Sequence, residues 1–219
     1  MTAVPGILAR GPWRPSDVEV IWRERAFVPA PDATAAADLA LEELRGRGSP
    51  SHDGLAGRLA GFASDRGRLR LECEPARWAL RLLPQGAMQS LSALCVVRSA
   101  DGDWLAGRRA EWVATWARRW ALGAAGSVEV GEHPVQTLRR ELAEEWSVTE
   151  RRLDVEALVR MPNGAVMLVA TAWLEPGARV TPDREHDEFA WWPREVSRWP
   201  EQADATLRAL GRLLSEPGR

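Results

Sequence analysis

Lysine and tyrosine are absent from this 219-residue chain, isoleucine occurs only as Ile7 and Ile21, and Asn163 is the only asparagine. All 29 basic residues are therefore arginine. The missing types are those with AT-rich codons, which points to a GC-rich, bacterial genome and removes the abundance of Arg and Ala as evidence about function. Cysteine is scarce too: Cys73 and Cys95 lie in strand-like stretches with no CxxC or Cys/His spacing, so neither a zinc site nor a disulfide framework is expected. The compartment reads as reducing. No segment approaches the ~20 apolar residues of a membrane span, and residues 1–14 have neither a basic start nor a sustained apolar run. The expectation is a cytoplasmic protein with no membrane partner. With 29 basic and 31 acidic residues interspersed, the net charge of -2 lacks the cationic field that holds a nucleic-acid polymer. A small anionic ligand is compatible with it.

What is present reads as one large domain or two small ones, with ample core. Alternation at Val18, Val20 and Trp22 predicts a strand at the start of residues 18–28. Residues 32–45, with Leu39, Leu41 and Leu44, predict a helix capped near Asp32 and closed by Gly46 and Gly48. A short helix is expected over 52–63, then two antiparallel strands at 68–72 and 78–83, separated by a break that includes Glu74 and Pro75. The Pro84-Gln85-Gly86 break divides the chain into an N-terminal α+β section, residues 1–87, and a remainder, residues 88–219. In that remainder, 90–97 and 104–108 form a hairpin around the turn 100–103. A second hairpin joins 158–161 to 165–173 through Pro162-Asn163-Gly164, because Asn-Gly supplies positive φ angles. A strand over 188–192 and an amphipathic helix over 202–214 follow.

The chemistry is concentrated in residues 126–148, GSVEVGEHPVQTLRRELAEEWSV. Pro134 suits a first helical turn, and Val135, Leu138, Leu142 and Trp146 recur at three- and four-residue steps to make one apolar face. Glu141, Glu144 and Glu145 fall in one sector beside it, at ~100° per residue. Clustered carboxylates repel one another, and a hard divalent cation resolves the repulsion; magnesium takes oxygen ligands from one or two carboxylates together with phosphate. A solvated helix face balanced by Arg139 and Arg140 is the plain alternative.

Spacing separates the two readings. Gly126, Glu132, Arg140, Glu141, Leu142, Glu144, Glu145 and Val148 resemble the Nudix box, G-x5-E-x7-R-E-U-x-E-E-x-G-U with U a bulky aliphatic; Ser147 stands where the family has its late glycine. The run from Leu122 to Gly126 also looks like the family's entry to the catalytic helix, with Ala124 in place of the more usual Pro. The resemblance implies an α/β/α sandwich with a mixed sheet (α/β, α+β class), preceded by the small N-terminal section. It implies Mg2+, or Mn2+ in its stead, held by Glu141, Glu144, Glu145 and the Ala125 carbonyl, with Glu132 ion-paired to Arg140. Among catalytic residues it places Glu141, Glu144, Glu145 and Arg140, and downstream Glu185 first and Glu188 second as a further metal-binding or basic Glu.

The function implied is hydrolysis of the diphosphate linkage in a nucleoside diphosphate joined to another group, such as a nucleotide sugar, ADP-ribose or a dinucleotide. A non-catalytic nucleotide-binding regulator of the same fold is the alternative, and relatives are often homodimers. His52, His133 and His186 have no partner at ligand spacing and read as packing or exposed residues. Arg108, Arg109, Arg118 and Arg119 read either as solvated or as a grip on phosphate. Trp112, Trp116 and Trp120, four apart, read as helix packing or the lip of a pocket.

Overall fold

A computed structural model describes residues 6–49, 51–65, 67–83 and 89–215. The Pro84-Gln85-Gly86 break and the 87/88 boundary lie outside the described residues.

The main sheet has the order β1-β9-β10-β5-β6-β11: β1 Gly6–Trp13, β9 Arg152–Arg160, β10 Val166–Trp173, β5 Leu91–Arg98, β6 Trp104–Arg109 and β11 His186–Trp192. Two short strands join it, β7 Trp120–Leu122 on β6 and β8 Ala124–Ser127 on β5. The β10·β5 pair is parallel and the other pairs are antiparallel, so the sheet is mixed. All eight residues of β5 are buried, as a central strand covered on both faces requires. Its odd-numbered members Leu91, Ala93, Cys95 and Val97 join a core with helix α2 (Pro134–Trp146) through Val135, Leu138, Leu142 and Trp146. Leu94 and Val96 face the other way, toward Leu207 and Leu210 of helix α3 (Ala205–Ser215). Helices on both faces make the α/β/α sandwich. No helix among the described residues is long and apolar enough to cross a membrane.

A second, three-stranded sheet has the order β2-β4-β3, from Val18–Trp22, Arg68–Arg77 and Leu55–Asp65. Several expectations fail here. Residues 52–63 are not a helix: Gly54, Gly57 and Gly61 each cost a helix interior about 1 kcal/mol, whereas as β3 the segment pairs with β4 from Leu55↔Arg77 to Asp65↔Arg68. Glu74 and Pro75 do not break the chain either. The β2 ladder ends at Trp22↔Cys73, so Pro75 lies beyond the doubly paired part of β4, where a missing N–H goes unused. Residues 78–82 form a 3-10 turn instead of a strand, its consecutive buried Trp78, Ala79 and Leu80 packed against Leu41 and Leu44 of α1 (Pro31–Gly46). Helix α1 begins after Ala30, with Pro31 in the first turn and Asp32 inside the helix rather than capping it.

The two sections share packing. β1 pairs with β9, and Trp13, Val18, Leu59, Leu69, Leu71 and Cys73 belong to the α2-side core. Gly57 donates its N–H to the Val128 carbonyl at 2.7 Å, and Leu59 to that of Gln89 at 3.0 Å. Cys73 and Cys95 are buried free thiols.

Candidate active site

The site begins with a split in the main sheet. β5 and β6 meet at Arg98↔Trp104, then diverge, and the chain of β7 and β8 fills the opening. Gly123 turns the corner at φ +56°, with the Cys95 carbonyl so close that no Cβ would fit. The Val128 N–H to Leu91 carbonyl bond sets the phase of the β8 ladder: Gly126 and Ala124 pair inward with β5, while Ala125 and Ser127 turn N–H and C=O outward. Both outward residues meet α2. The Ala125 N–H donates to Glu145 Oε1 at 3.3 Å, and Arg140 Nη2 donates to the Ser127 carbonyl at 3.3 Å. By the same alternation the Ala125 carbonyl lies on this outer edge.

Helix α2 is oriented by strong ends. At its start the His133 ring accepts from Val135 N–H at 3.2 Å, and Gln136 returns a bond to the His133 N–H at 3.1 Å. His133 also reaches the Val18 carbonyl at 3.0 Å, so its role is packing. At its end Ser147 takes a left-handed conformation, φ 55° and ψ 37°, the geometry that favours glycine. Trp146 anchors the last turn through Nε1 to the Gly123 carbonyl, 3.0 Å.

The acidic sector of α2 therefore lies along β8. Glu141 packs its carboxylate over Gly126, in space any Cβ would fill. Glu145 is 4% exposed, with its carboxylate 3.9 Å from Arg109 Nη1 and 3.7 Å from His186 Nε2. Glu144 is exposed. Arg140 ties the group together: its guanidinium donates to Glu132 through two bonds of 3.0 and 3.2 Å, to Glu141 at 2.6 Å and to Glu144 at 3.3 Å. Glu132 also accepts from Thr137 Oγ1 and the Glu129 N–H. Burial works to raise its pKa, but these bonds prevail and hold it below the usual carboxylate range.

Glu141 and Glu145 show the opposite balance. Burial raises both, Glu145 well above the ordinary value, with Arg140 opposing at Glu141 and Arg109 at Glu145, while neighbouring carboxylates push further up. Glu185 is among those neighbours for both. It reaches the patch through Arg109, whose Nη1 lies 3.0 Å from Glu185 Oε2. Glu188 pairs instead with Arg108 at 3.1 Å.

Among the described residues, no three His, Cys, Asp or Glu side chains are drawn together at metal-ligand spacing; the cations that meet the carboxylates here are Arg140 and Arg109. The donor set nonetheless fits a hard cation. It consists of carboxylates and an outward carbonyl, and burial makes the ionised form of Glu141 and Glu145 costly until a cation offsets it.

Sequence reasoning left Arg109 and His186 undervalued. Arg109 is a nearly buried link between Glu185 and Glu145, and His186 is buried against Trp146 with ring centroids 4.6 Å apart. Neither carries a spacing signal, since the β6·β11 pairing brings them together. Arg108, Arg118 and Arg119 are held by Asp187, Glu111 and Asp204. Trp112 and Trp116 lie in an irregular loop rather than a helix, with Trp116 at φ 60°.

A family model described as NUDIX domain matches residues 88–212. The chain is similar to the solved structure of a MutT protein from Methanosarcina mazei Go1, at 21% identity over 56% of this chain and 90% of that one, TM-score 0.43. It is similar to the NUDIX domain of Shewanella oneidensis NrtR complexed with ADP ribose, at 21% identity over 57% and 88%, TM-score 0.44. A C. elegans Ap4A hydrolase binary complex is similar at 21% identity over 57% and 92%, TM-score 0.42. No curated protein matches the sequence.

Proposed function

The chain belongs to the NUDIX family, and from that premise we propose that it is a magnesium-dependent pyrophosphohydrolase acting on a nucleoside diphosphate joined to a second group. One observation carries the reading. The acidic face of α2 lies against the outward edge of β8, with the Glu141 carboxylate seated over Gly126 and Glu145 buried behind it.

A diphosphate repels nucleophiles through its own charge, so hydrolysis needs that charge offset and a water aligned with the leaving oxygen. In this reading Glu141, Glu144, Glu145 and the Ala125 carbonyl hold the metal, Mg2+ or Mn2+. When bound, the ion offsets phosphate charge and acidifies water. Water attacks one phosphorus, a P–O bond forms, the bridging P–O bond breaks, and the water's proton passes to a carboxylate. Glu185 suits that task, because it stands outside the metal-holding set and Arg109 brings it close to the patch. Arg140 positions the carboxylates and is not itself consumed.

The test is phosphate release from nucleotide sugars, ADP-ribose, dinucleotides and nucleoside triphosphates with Mg2+. Replacing the general base typically removes roughly 10²- to 10⁴-fold in rate, so Glu185→Gln should lose that much kcat/KM, while Glu144→Gln and Glu145→Gln should raise the Mg2+ concentration required. Equal turnover in wild type and both helix variants would remove the helix from the chemistry.

A further inference from the structure

Around the acidic patch nearly every guanidinium is matched by a carboxylate. Arg140 is held by Glu132, Glu141 and Glu144, Arg109 by Glu185, and Arg108 by Asp187 and Glu188. Arg77 in the N-terminal section is held by Asp53 and Asp38. Arg81 differs. It leaves the 3-10 turn Trp78–Leu82, crosses to β8 and donates from Nη1 to the Ser127 hydroxyl. Among the described residues, no carboxylate meets it at ion-pair distance. Ser127 thereby takes two guanidinium groups, Arg81 on its hydroxyl and Arg140 on its carbonyl.

The turn that carries Arg81 is itself packed. Trp78, Ala79 and Leu80 are buried against α1, and Trp78 lies beneath the Arg81 guanidinium with 5.5 Å from Cζ to the ring centroid. Burial depresses the pKa of Arg81; Glu141 opposes that shift and Arg109 adds to it, so the side chain is within electrostatic range of both. Arg81 is half-buried, and a cation whose hydrogen-bond partner is a neutral hydroxyl keeps charge and donors for a further partner. A planar guanidinium fork matches phosphate oxygens in paired hydrogen bonds.

We propose that Arg81 binds phosphate oxygens of the substrate at the Ser127 end of the acidic patch, so that the N-terminal section supplies a substrate-binding residue to the site on residues 88–212. The assignment rests on reading the patch as a diphosphate site. It gives residues 1–87 a part in recognition, with the packed turn fixing where the charge stands.

The experiment uses the full-length protein with Mg2+ and the methylene-bridged analogue of ADP, which binds without being cleaved at its bridge. Calorimetry gives Kd for wild type, Arg81→Gln and Arg81→Lys, with far-UV circular dichroism confirming the fold; Gln removes the charge and, being shorter, the bond to Ser127 as well, whereas Lys keeps the charge. Charged hydrogen bonds of this kind imply roughly ten- to hundredfold weaker binding in Arg81→Gln and partial recovery in Arg81→Lys. For whichever nucleotide is turned over, KM should rise by a similar factor while kcat stays within about threefold. A folded Arg81→Gln protein with Kd within about twofold of wild type would overturn the assignment, as would a wild type that does not bind the analogue. Wild-type turnover with an indifferent Arg81→Gln defeats the Arg81 role alone, whereas Arg81-dependent binding without any turnover defeats the hydrolase reading alone.

Discussion

At the residue scale, Ser147 is the local irregularity of helix α2. It closes α2 in a left-handed conformation, and its N–H still bonds to the Ala143 carbonyl at 3.1 Å. A non-glycine residue there costs about 1–2 kcal/mol; the greater chain entropy of unfolded glycine returns part of that. Ser147→Gly should therefore stabilise the protein by about 1 kcal/mol, a rise of roughly 2–4 °C in Tm by calorimetry. An unchanged or lower Tm would show that the Ser147 conformation carries no strain. The sequence pattern pointed to this closure, and also to Gly126 and the Glu132–Arg140 pair, because each follows from spacing along one helix and its entry loop. It could not reveal that Glu145 is buried while Glu144 is exposed, since that difference depends on how β8 lies against α2. Arg81 was invisible for the same reason: its partner Ser127 is 46 residues away.

At the scale of elements, segments with their own periodicity or turn chemistry were legible. β5, the β9·β10 hairpin through Asn163-Gly164, α2 and α3 follow from local pattern. β3 and the 3-10 turn at Trp78 were misread because pairing with β4 and packing on α1 overrode weak local preferences. β1 gave no alternation to read; it is a strand because the edge of β9 is there to pair with. β9 also carries a titration device. Burial raises the pKa of Glu156, Thr171 opposes through a hydrogen bond, and Asp154 adds to the rise. The folded state thus holds its proton more tightly than the unfolded chain, and Glu156 lowers stability as pH climbs from the ordinary value of 4.5 through the raised one. Glu156→Gln keeps a carbonyl for the Thr171 hydroxyl and removes the charge. Its Tm should exceed that of wild type near neutral pH, with the difference closing as pH falls below 4.5. A gap independent of pH would assign the effect to packing.

At the scale of the whole molecule, the sandwich places two differently built regions around one core. The main sheet supplies β8 and its outward backbone groups, α2 supplies the carboxylates, and β11 with its preceding loop supplies Glu185 and His186. The N-terminal section brings β1 to the sheet edge and Arg81 to the patch. Fold class was legible because hydrophobic period and the box motif act locally; the shared packing of the two sections was not, because contacts such as Gly57 to Val128 and Trp22 to Glu132 join distant parts of the chain. In the proposed function Glu141, Glu144, Glu145 and the Ala125 carbonyl form one oxygen-lined site for a divalent ion. Anomalous diffraction from a crystal soaked in Mn2+ tests it most directly. A manganese peak within coordinating distance of Glu141 or Glu145 and the Ala125 carbonyl, with Arg140 withdrawn from Glu141, is the predicted result. A peak elsewhere, or none while Arg140 still holds Glu141, would contradict it.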